Sequence, residues 1–167
     1  MGVDLSMLPN LRKILIVVTF PEHDVDLYQT GMDVVTDLVD FLHTLPTNHQ
    51  LKHLGLNFDI SLTLTNLDEA PRAKEVVLSH GNWAALDSVL MSKINSITHV
   101  FGVNVYVGFW LYVESESRAP LDPIALQEAK NKDHLYDWGQ KYLPRISASN
   151  SPNLDLEIAI HHDYVLN

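Results

Sequence analysis

Histidine and aspartate are the residue types in this sequence best suited to chemistry, because nine histidines occur with no cysteine. The segment with His23, Asp24 and Asp26 places these side chains close together after an apolar run. His161 and His162 form the densest group, but adjacent residues of a strand point to opposite faces, so the two imidazoles do not readily share one ion. No H-E-x-x-H motif, EF-hand loop or glycine-rich phosphate loop occurs in the sequence. We therefore expect no metal and no cofactor, and we assign no catalytic residue.

A second group of candidates lies in the aromatic segment from Phe101 to Tyr112. With the two-residue period of a strand, Tyr106, Trp110 and Tyr112 share one face with small residues, and the valines share the other. Rings with hydrogen-bonding tips beside small residues suit a protein interface or the wall of a small-molecule pocket. Helices over that face would instead make it core, since parallel strands are commonly buried on both sides. The three aromatic residues are our candidate partner or ligand surface, with a core role as the alternative.

Elements that could position these residues are indicated by short apolar runs that alternate with longer amphipathic ones. Apolar residues recur at helical spacing in the amphipathic segments, for example Met32, Val35, Val39 and Leu42. We predict strands over residues 11–20, 51–60, 97–113 and 154–160, and helices over residues 28–45, 82–94 and 122–144. The sequence therefore predicts an α/β fold.

Four similar segments introduce the predicted strands, each with a short turn, a leucine-like anchor and a strand. The anchors are Leu11, Leu51, Ile97 and Leu154, with helical sequence in each interval. A single unit of this kind cannot bury its own apolar face, so repeats of it stack. The spacing is irregular, and two arrangements stay open: a short leucine-rich-repeat-like solenoid, or an open, mostly parallel sheet with helices mainly on one side. In both, residues 1–167 form a single domain.

Two segments resemble a known family. Trp83-Ala84-Ala85-Leu86-Asp87-Ser88-Val89-Leu90, followed by Ile97-Thr98-His99-Val100, resembles a repeat in the C-terminal regions of F-box-type proteins of mushroom-forming fungi. Tyr142-Leu143-Pro144-Arg145-Ile146-Ser147-Ala148 is similar to the segment that often closes those regions. The resemblance covers about the second half of the chain and implies leucine-rich-repeat-like packing with a recognition surface. The F-box helices that bind a ubiquitin-ligase adaptor are not found here, so the resemblance implies the repeat region alone.

Composition limits the classes of partner. The 167 residues are 46% hydrophobic and 19% charged, which is typical of a globular protein, and the net charge of −10 opposes binding to nucleic acid. The longest apolar stretch is about half the roughly 20 residues that a bilayer requires, so we expect no membrane association. The absence of cysteine favours an intracellular protein of the cytoplasm or nucleus.

The function that these patterns favour is a non-catalytic, leucine-rich-repeat-like module that binds a protein partner. Exposed edge strands beginning at Leu11 and Leu154 also predict a homodimer. The alternative is a small α/β enzyme or small-molecule-binding protein whose polar site gathers at the C-terminal ends of the strands. The residues of that alternative site, to which Tyr106 could contribute, are His23, Asp24, Asp26, His99, His161 and His162.

Overall fold

The structure is a computed structural model. It describes residues 10–20, 29–45, 50–113, 123–124, 127 and 137–166, with the backbone alone at 29–33 and 165–166. The candidates His23, Asp24 and Asp26 lie outside these described residues, as does most of the helix predicted over 122–144.

The elements alternate between strand and helix, as the apolar periodicity predicts. The strands are β1 (Lys13–Phe20), β2 (His53–Leu64), β3 (Phe101–Val113) and β4 (Leu154–Leu166). The helices are α1 (Gln29–Thr44), α2 (Ala70–His80, preceded by a 3-10 turn at Leu67–Glu69), α3 (Trp83–Ser96), α4 (Trp138–Tyr142) and α5 (Pro144–Ser147). No helix in the described ranges is long and apolar enough to cross a bilayer.

All four strands are parallel, and their order in the sheet is their order in the chain. Ile14 pairs with Leu54, Leu54 with Val103, and Val103 with Leu156, so equivalent positions of the strands stand side by side. Parallel neighbours need a crossover connection, and α1 follows β1 while α2 and α3 follow β2. The predicted α/β fold with an open parallel sheet and helices is confirmed.

The helices that the structure describes pack against one face of the sheet. In β2 the even-numbered residues from Leu54 to Leu64 are buried, and in β3 the odd-numbered residues from Phe101 to Val113 are buried. These side chains join apolar residues of all five helices in one contiguous core. Burial of this face supplies the main hydrophobic stabilisation, at about 25 cal/mol for each Å² removed from water.

Several predicted boundaries differ from the observed ones. The third strand begins at Phe101 rather than Ile97, because residues 98–99 form a bend, and the last strand continues to Leu166. His161 and His162 consequently lie within β4 rather than beyond its end. Helix α2 was not predicted at all. Pro144, expected to end a helix, instead begins α5.

Trp83 and Asp87 connect the helices to one another. The Trp83 indole donates a hydrogen bond to the backbone oxygen of Leu78 at 2.6 Å and meets the ring of Trp138 edge to face at 5.2 Å. The Asp87 carboxylate accepts hydrogen bonds from the backbone N–H groups of Arg145 and Ile146, at 2.9 and 3.0 Å. Within the Trp83–Leu90 segment, Trp83 therefore has a packing role, and Asp87 caps the start of α5.

Candidate functional site

The second face of the sheet points away from the helices, and we call it the open face. Parallel sheets are usually covered on both sides, whereas none of the helices α1 to α5 lies over this face. Its described side chains come from alternate residues of the four strands. They are Lys13, Leu15, Val17 and Thr19 of β1; His53, Gly55, Asn57, Asp59, Ser61 and Thr63 of β2; Gly102, Asn104, Tyr106, Gly108, Trp110 and Tyr112 of β3; and Asp155, Glu157, Ala159, His161 and Asp163 of β4.

The β1 side of the open face is apolar. Leu15 and Val17 retain 58% and 52% of their surface, and neither contributes to the buried core. A Cβ atom on the neighbouring Gly55 would come within 2.8 Å of the Leu15 Cδ1 atom, so glycine gives the leucine space to lie over β2. An exposed apolar strip on an edge strand favours association with another protein surface.

Aromatic and acidic residues meet on the β3–β4 side, around Gly108. Asp59 and His161 pair with Gly108 from the two neighbouring strands, and Tyr106 and Trp110 precede and follow it on the same face of β3. A Cβ atom at position 108 would lie 3.2 Å from Tyr106 Cε1, 3.4 Å from Asp59 Oδ1 and 3.8 Å from Trp110 Nε1. Glycine therefore lets the three side chains converge. We call this group, with Asp163 beside Trp110, the Gly108 cluster: Asp59, Tyr106, Gly108, Trp110, His161 and Asp163.

Contacts inside the Gly108 cluster fix its geometry. The rings of Tyr106 and His161 stack with centroids 6.4 Å apart and planes 25° apart. His161 Nε2 lies 3.1 Å from Asp163 Oδ2, and both side chains are about half exposed. Trp110 retains 36% of its surface. The cluster thus combines ordered rings with accessible polar groups.

Negative charge surrounds the Tyr106 hydroxyl. Burial raises the pKa of Tyr106 above its ordinary value, and the carboxylates of Asp59 and Asp163 raise it further, since both disfavour the phenolate. The two aspartates come from β2 and β4, on either side of the strand that carries the tyrosine. The cluster therefore disfavours an added negative charge and favours a positive one.

The charge on the part of the open face formed by β2, β3 and β4 has the same sign, whereas β1 contributes Lys13. Across β2, β3 and β4, the described open-face positions carry four carboxylates and no lysine or arginine. Asn104 donates a hydrogen bond to Glu157 at 2.8 Å, which holds one of the carboxylates in place. The carboxylates are those of Asp59, Asp155, Glu157 and Asp163.

The structure places the three aromatic candidates, Tyr106, Trp110 and Tyr112, together on the open face. Tyr106 and Tyr112 are partly exposed and Trp110 is exposed, whereas the alternating residues of β3 are buried. Helices α1 to α5 pack on the opposite side of the sheet, so none of these five helices covers the three aromatic residues.

The histidine candidates do not gather at one position. His161 points to the open face, while His162 points to the helix side and stacks on Phe109 with centroids 5.9 Å apart. His99 precedes β3 at the N-terminal edge of the sheet, where its Nε2 lies 2.8 Å from the backbone oxygen of Leu51. Only His161 meets Tyr106 among the described candidates for the alternative polar site.

Lys74 is a residue that sequence reasoning missed. Its side chain retains 1% of its surface, and its Nζ lies 3.1 Å from His162 Nδ1, 5.4 Å from the centre of the Phe109 ring and 5.7 Å from that of Tyr164. Lys74 lies between Ala73 and Val77 on the buried side of α2. A prediction of this helix from the sequence would have placed Lys74 on that side. These contacts of the buried Lys74 side chain connect α2 to β3 and β4.

One cleft lies among the helices, and a second borders the open face at Thr63. One, of about 370 Å³, is lined by residues of α2, α3, α4 and α5, including Ser88, Lys141 and Arg145, and the other, of about 310 Å³, lies beside Thr63, Glu69 and Arg72. The Asp87 carboxylate in the first cleft already accepts two backbone hydrogen bonds. Within the described part of the chain, no three histidine, aspartate or glutamate side chains are grouped to hold a metal ion.

Comparisons of this chain with protein-family models, with curated proteins and with solved structures found no match.

Proposed function

We propose that this protein is a non-catalytic recognition module of leucine-rich-repeat-like type, which binds a protein partner on the open face of its sheet. The observation that carries the proposal is the face of the parallel sheet that helices α1 to α5 leave open, on which Tyr106, Trp110 and Tyr112 share one side of the central strand β3. Arrays of stacked β–α units use such extended surfaces for binding. The likeness of Trp83–Leu90 to the fungal F-box-type repeat supports the same class of function.

The composition of the surface favours a protein as the occupant. Tyrosine and tryptophan are enriched at the centres of protein interfaces, because they bury a large area with few rotatable bonds. The four carboxylates of the open face and the net charge of −10 would repel a phosphate backbone. We infer a protein partner, no nucleic acid, and an intracellular site of action, as the cysteine-free sequence predicts.

Affinity capture with matched variants tests the proposal. The tagged protein is incubated with an extract of its native cells, beside a variant with Tyr106, Trp110 and Tyr112 changed to Ala. A control variant has Arg72, Glu75 and Gln140 changed to Ala, since these exposed residues lie on the helix side. Circular dichroism establishes that all three proteins are folded.

A partner of the open face is retained by the wild type and the control but lost from the aromatic variant. Binding of the purified partner is then measured by calorimetry with the same three proteins, and we expect an affinity loss of more than about tenfold for the aromatic variant only, since central aromatic residues dominate interface energy. Equal affinity for all three proteins would show that the open face is not the binding surface.

A further inference from the structure

We propose that the Gly108 cluster is the subsite of the open face that binds the guanidinium group of an arginine side chain presented by the partner. This inference rests on the proposed function, because it assumes that the open face receives a protein. It adds the chemistry of the residue that is recognised and the position at which it binds.

The rings supply the first half of the recognition. Trp110 is the one large aromatic side chain among the described residues that is exposed, and it follows Gly108 on the same face as Tyr106. Tyr106 is already held by its stack on His161, so it needs little ordering when a ligand arrives. A guanidinium is planar, is weakly hydrated and stacks on aromatic faces, and tryptophan is the best of these faces.

The carboxylates supply the second half. Asp59 and Asp163 belong to β2 and β4, which flank β3 on its two sides, about 10 Å apart at the spacing of sheet strands. Both carboxylates raise the pKa of Tyr106, so both act electrostatically on its hydroxyl. A guanidinium has five N–H donors in a fixed plane, which lets it stack on a ring while it donates to carboxylates at its edge.

Charge complementarity favours this occupant over others. No lysine or arginine of the described open face on β2, β3 or β4 competes for the carboxylates, and His161 is the basic group nearest to Asp163, at 3.1 Å. An anionic side chain would face all four carboxylates of the surface. A lysine ammonium is compact and strongly hydrated, so it gains less than a guanidinium from the two rings.

Heteronuclear NMR with small probes tests the inference without knowledge of the partner. The probe is N-acetyl-arginine methylamide, and its matched control is the citrulline analogue, which has the same shape without the charge. We expect saturable shift changes centred on the Gly108 amide and the Trp110 indole N–H. The citrulline analogue should bind roughly tenfold more weakly or not measurably, because it loses both the charge and the cation–π contact.

Variants identify the carboxylates that bind the arginine probe. Asp59→Asn combined with Asp163→Asn should weaken arginine binding roughly tenfold, as expected for two partly exposed ion pairs. Asp155→Asn combined with Glu157→Asn removes the same charge from the same face near the start of β4 and should change the affinity less than about twofold. Added salt should weaken the binding, because the carboxylates are partly exposed.

Three results would overturn the inference. They are equal affinity for the arginine and citrulline probes, equal effects of the two double variants on arginine binding, or a higher affinity for the corresponding lysine probe than for the arginine probe. Each is separable from failure of the proposed function. A partner that depends on Tyr106, Trp110 and Tyr112 while the arginine probe does not bind leaves the recognition module intact and removes this subsite. If the arginine probe binds at Gly108 but the partner does not bind the open face, the subsite is retained and the proposed function is wrong.

Discussion

At the scale of single residues, the ionisation of Tyr106 reports on the electrostatics of the open face. Burial is the largest cause of its raised pKa, and Asp59 and Asp163 are the next two. We expect tyrosinate to form at higher pH in the folded protein than the ordinary value of 10.0, and we expect Asp59→Asn with Asp163→Asn to lower that pKa without abolishing the effect of burial. Ultraviolet absorbance of the tyrosinate measures it, with Tyr106→Phe to identify the residue.

The sign of the accompanying stability change follows from linkage. The unfolded chain releases the tyrosine proton near pH 10.0, whereas the folded chain holds it longer, so stability falls as the pH rises past that value. Tyr106→Phe should show a smaller fall over the same range. An identical fall in both proteins would contradict the assignment.

A second ionisable residue, Lys93, changes the stability of the fold with pH in the opposite direction. Lys93 is buried on α3, and its ammonium donates a hydrogen bond to the backbone oxygen of Leu45, just after α1. Burial lowers the pKa of Lys93 from the ordinary value of 10.5, so the unfolded chain binds this proton more tightly than the folded one. Stability contributed by this residue therefore rises with pH in the interval below 10.5.

Lys93→Met removes that titration. We expect the stability of the wild type, measured relative to Lys93→Met by urea unfolding, to increase between neutral pH and pH 10.5. Lys52→Met removes an exposed lysine and is the matched control for the loss of one side chain of this type. A stability difference that is independent of pH would mean that burial does not disfavour the charged form of Lys93.

At the scale of elements, Asp87 tests whether α5 depends on α3. Its buried carboxylate is 2% exposed and accepts the N–H groups of Arg145 and Ile146, which begin α5. Asp87→Ala should lower the free energy of unfolding by about 3 kcal/mol, because two hydrogen bonds to a charged acceptor are lost and two donors are left unsatisfied. Asp87→Asn keeps one acceptor oxygen and should lose about half as much.

Urea unfolding measures both variants. Ser88→Ala is the control, since this exposed neighbour bonds to Ala84 and Arg145, and we expect a change within about 0.5 kcal/mol. An Asp87→Ala variant as stable as Ser88→Ala would show that the contact between α3 and α5 contributes little.

The homodimer stays a prediction, since β1 and β4 lie at the two edges of the described sheet. We expect the contact between the two protomers to lie at β1. Its open-face residues Leu15 and Val17 are exposed, and no other strand among the described residues pairs with the backbone of its outer edge. We expect sedimentation equilibrium to give a mass that rises above 18.9 kDa with concentration. Leu15→Lys with Val17→Lys should shift it back to the monomer.

A control with the same change of charge is Asn95→Lys with Thr98→Lys, at exposed positions in the last turn of α3 and in the segment before β3. It should associate as the wild type does. A monomer over a wide concentration range in the wild type would remove the dimer.

The elements also show what the sequence could and could not predict. The strands were found because one face of each is strictly apolar, as in Leu54, Leu56 and Phe58. Helix α2 was missed because its buried stripe contains Lys74 and two alanines in place of large apolar residues. A signal existed at its start, where the Glu69 carboxylate accepts hydrogen bonds from Thr65 and Asn66 just before the helix. The periodicity of a segment alone does not reveal such local polar contacts.

The candidate site was predictable in part for a similar reason. The two-residue period places Tyr106, Trp110 and Tyr112 on one face, but it does not say which strands stand beside β3. Asp59 and Asp163 join the cluster only through the register that pairs Asp59 with Gly108 and Trp110 with Asp163. That register is set by the whole sheet. The separation of His161 from His162 follows from strand geometry, but Lys74 as the neighbour of His162 required the packing of α2.

At the scale of the whole molecule, the sequential order of the strands determines the order in which parts of the sheet unfold. In the part of the chain that the structure describes, each strand pairs only with the strands next to it in sequence, so the sheet behaves as a row of nearest neighbours in which an end can fray while the middle persists. We expect amide hydrogen exchange to be slowest in β2 and β3, which have partners on both sides, and faster in β1 and β4. Uniform exchange rates across all four strands would indicate a single cooperative unit. If the ends do open first, the Gly108 cluster loses His161 and Asp163 with β4 while Asp59, Tyr106 and Trp110 stay in place, so the same surface keeps its two aromatic rings but only one of its two carboxylates, without global unfolding.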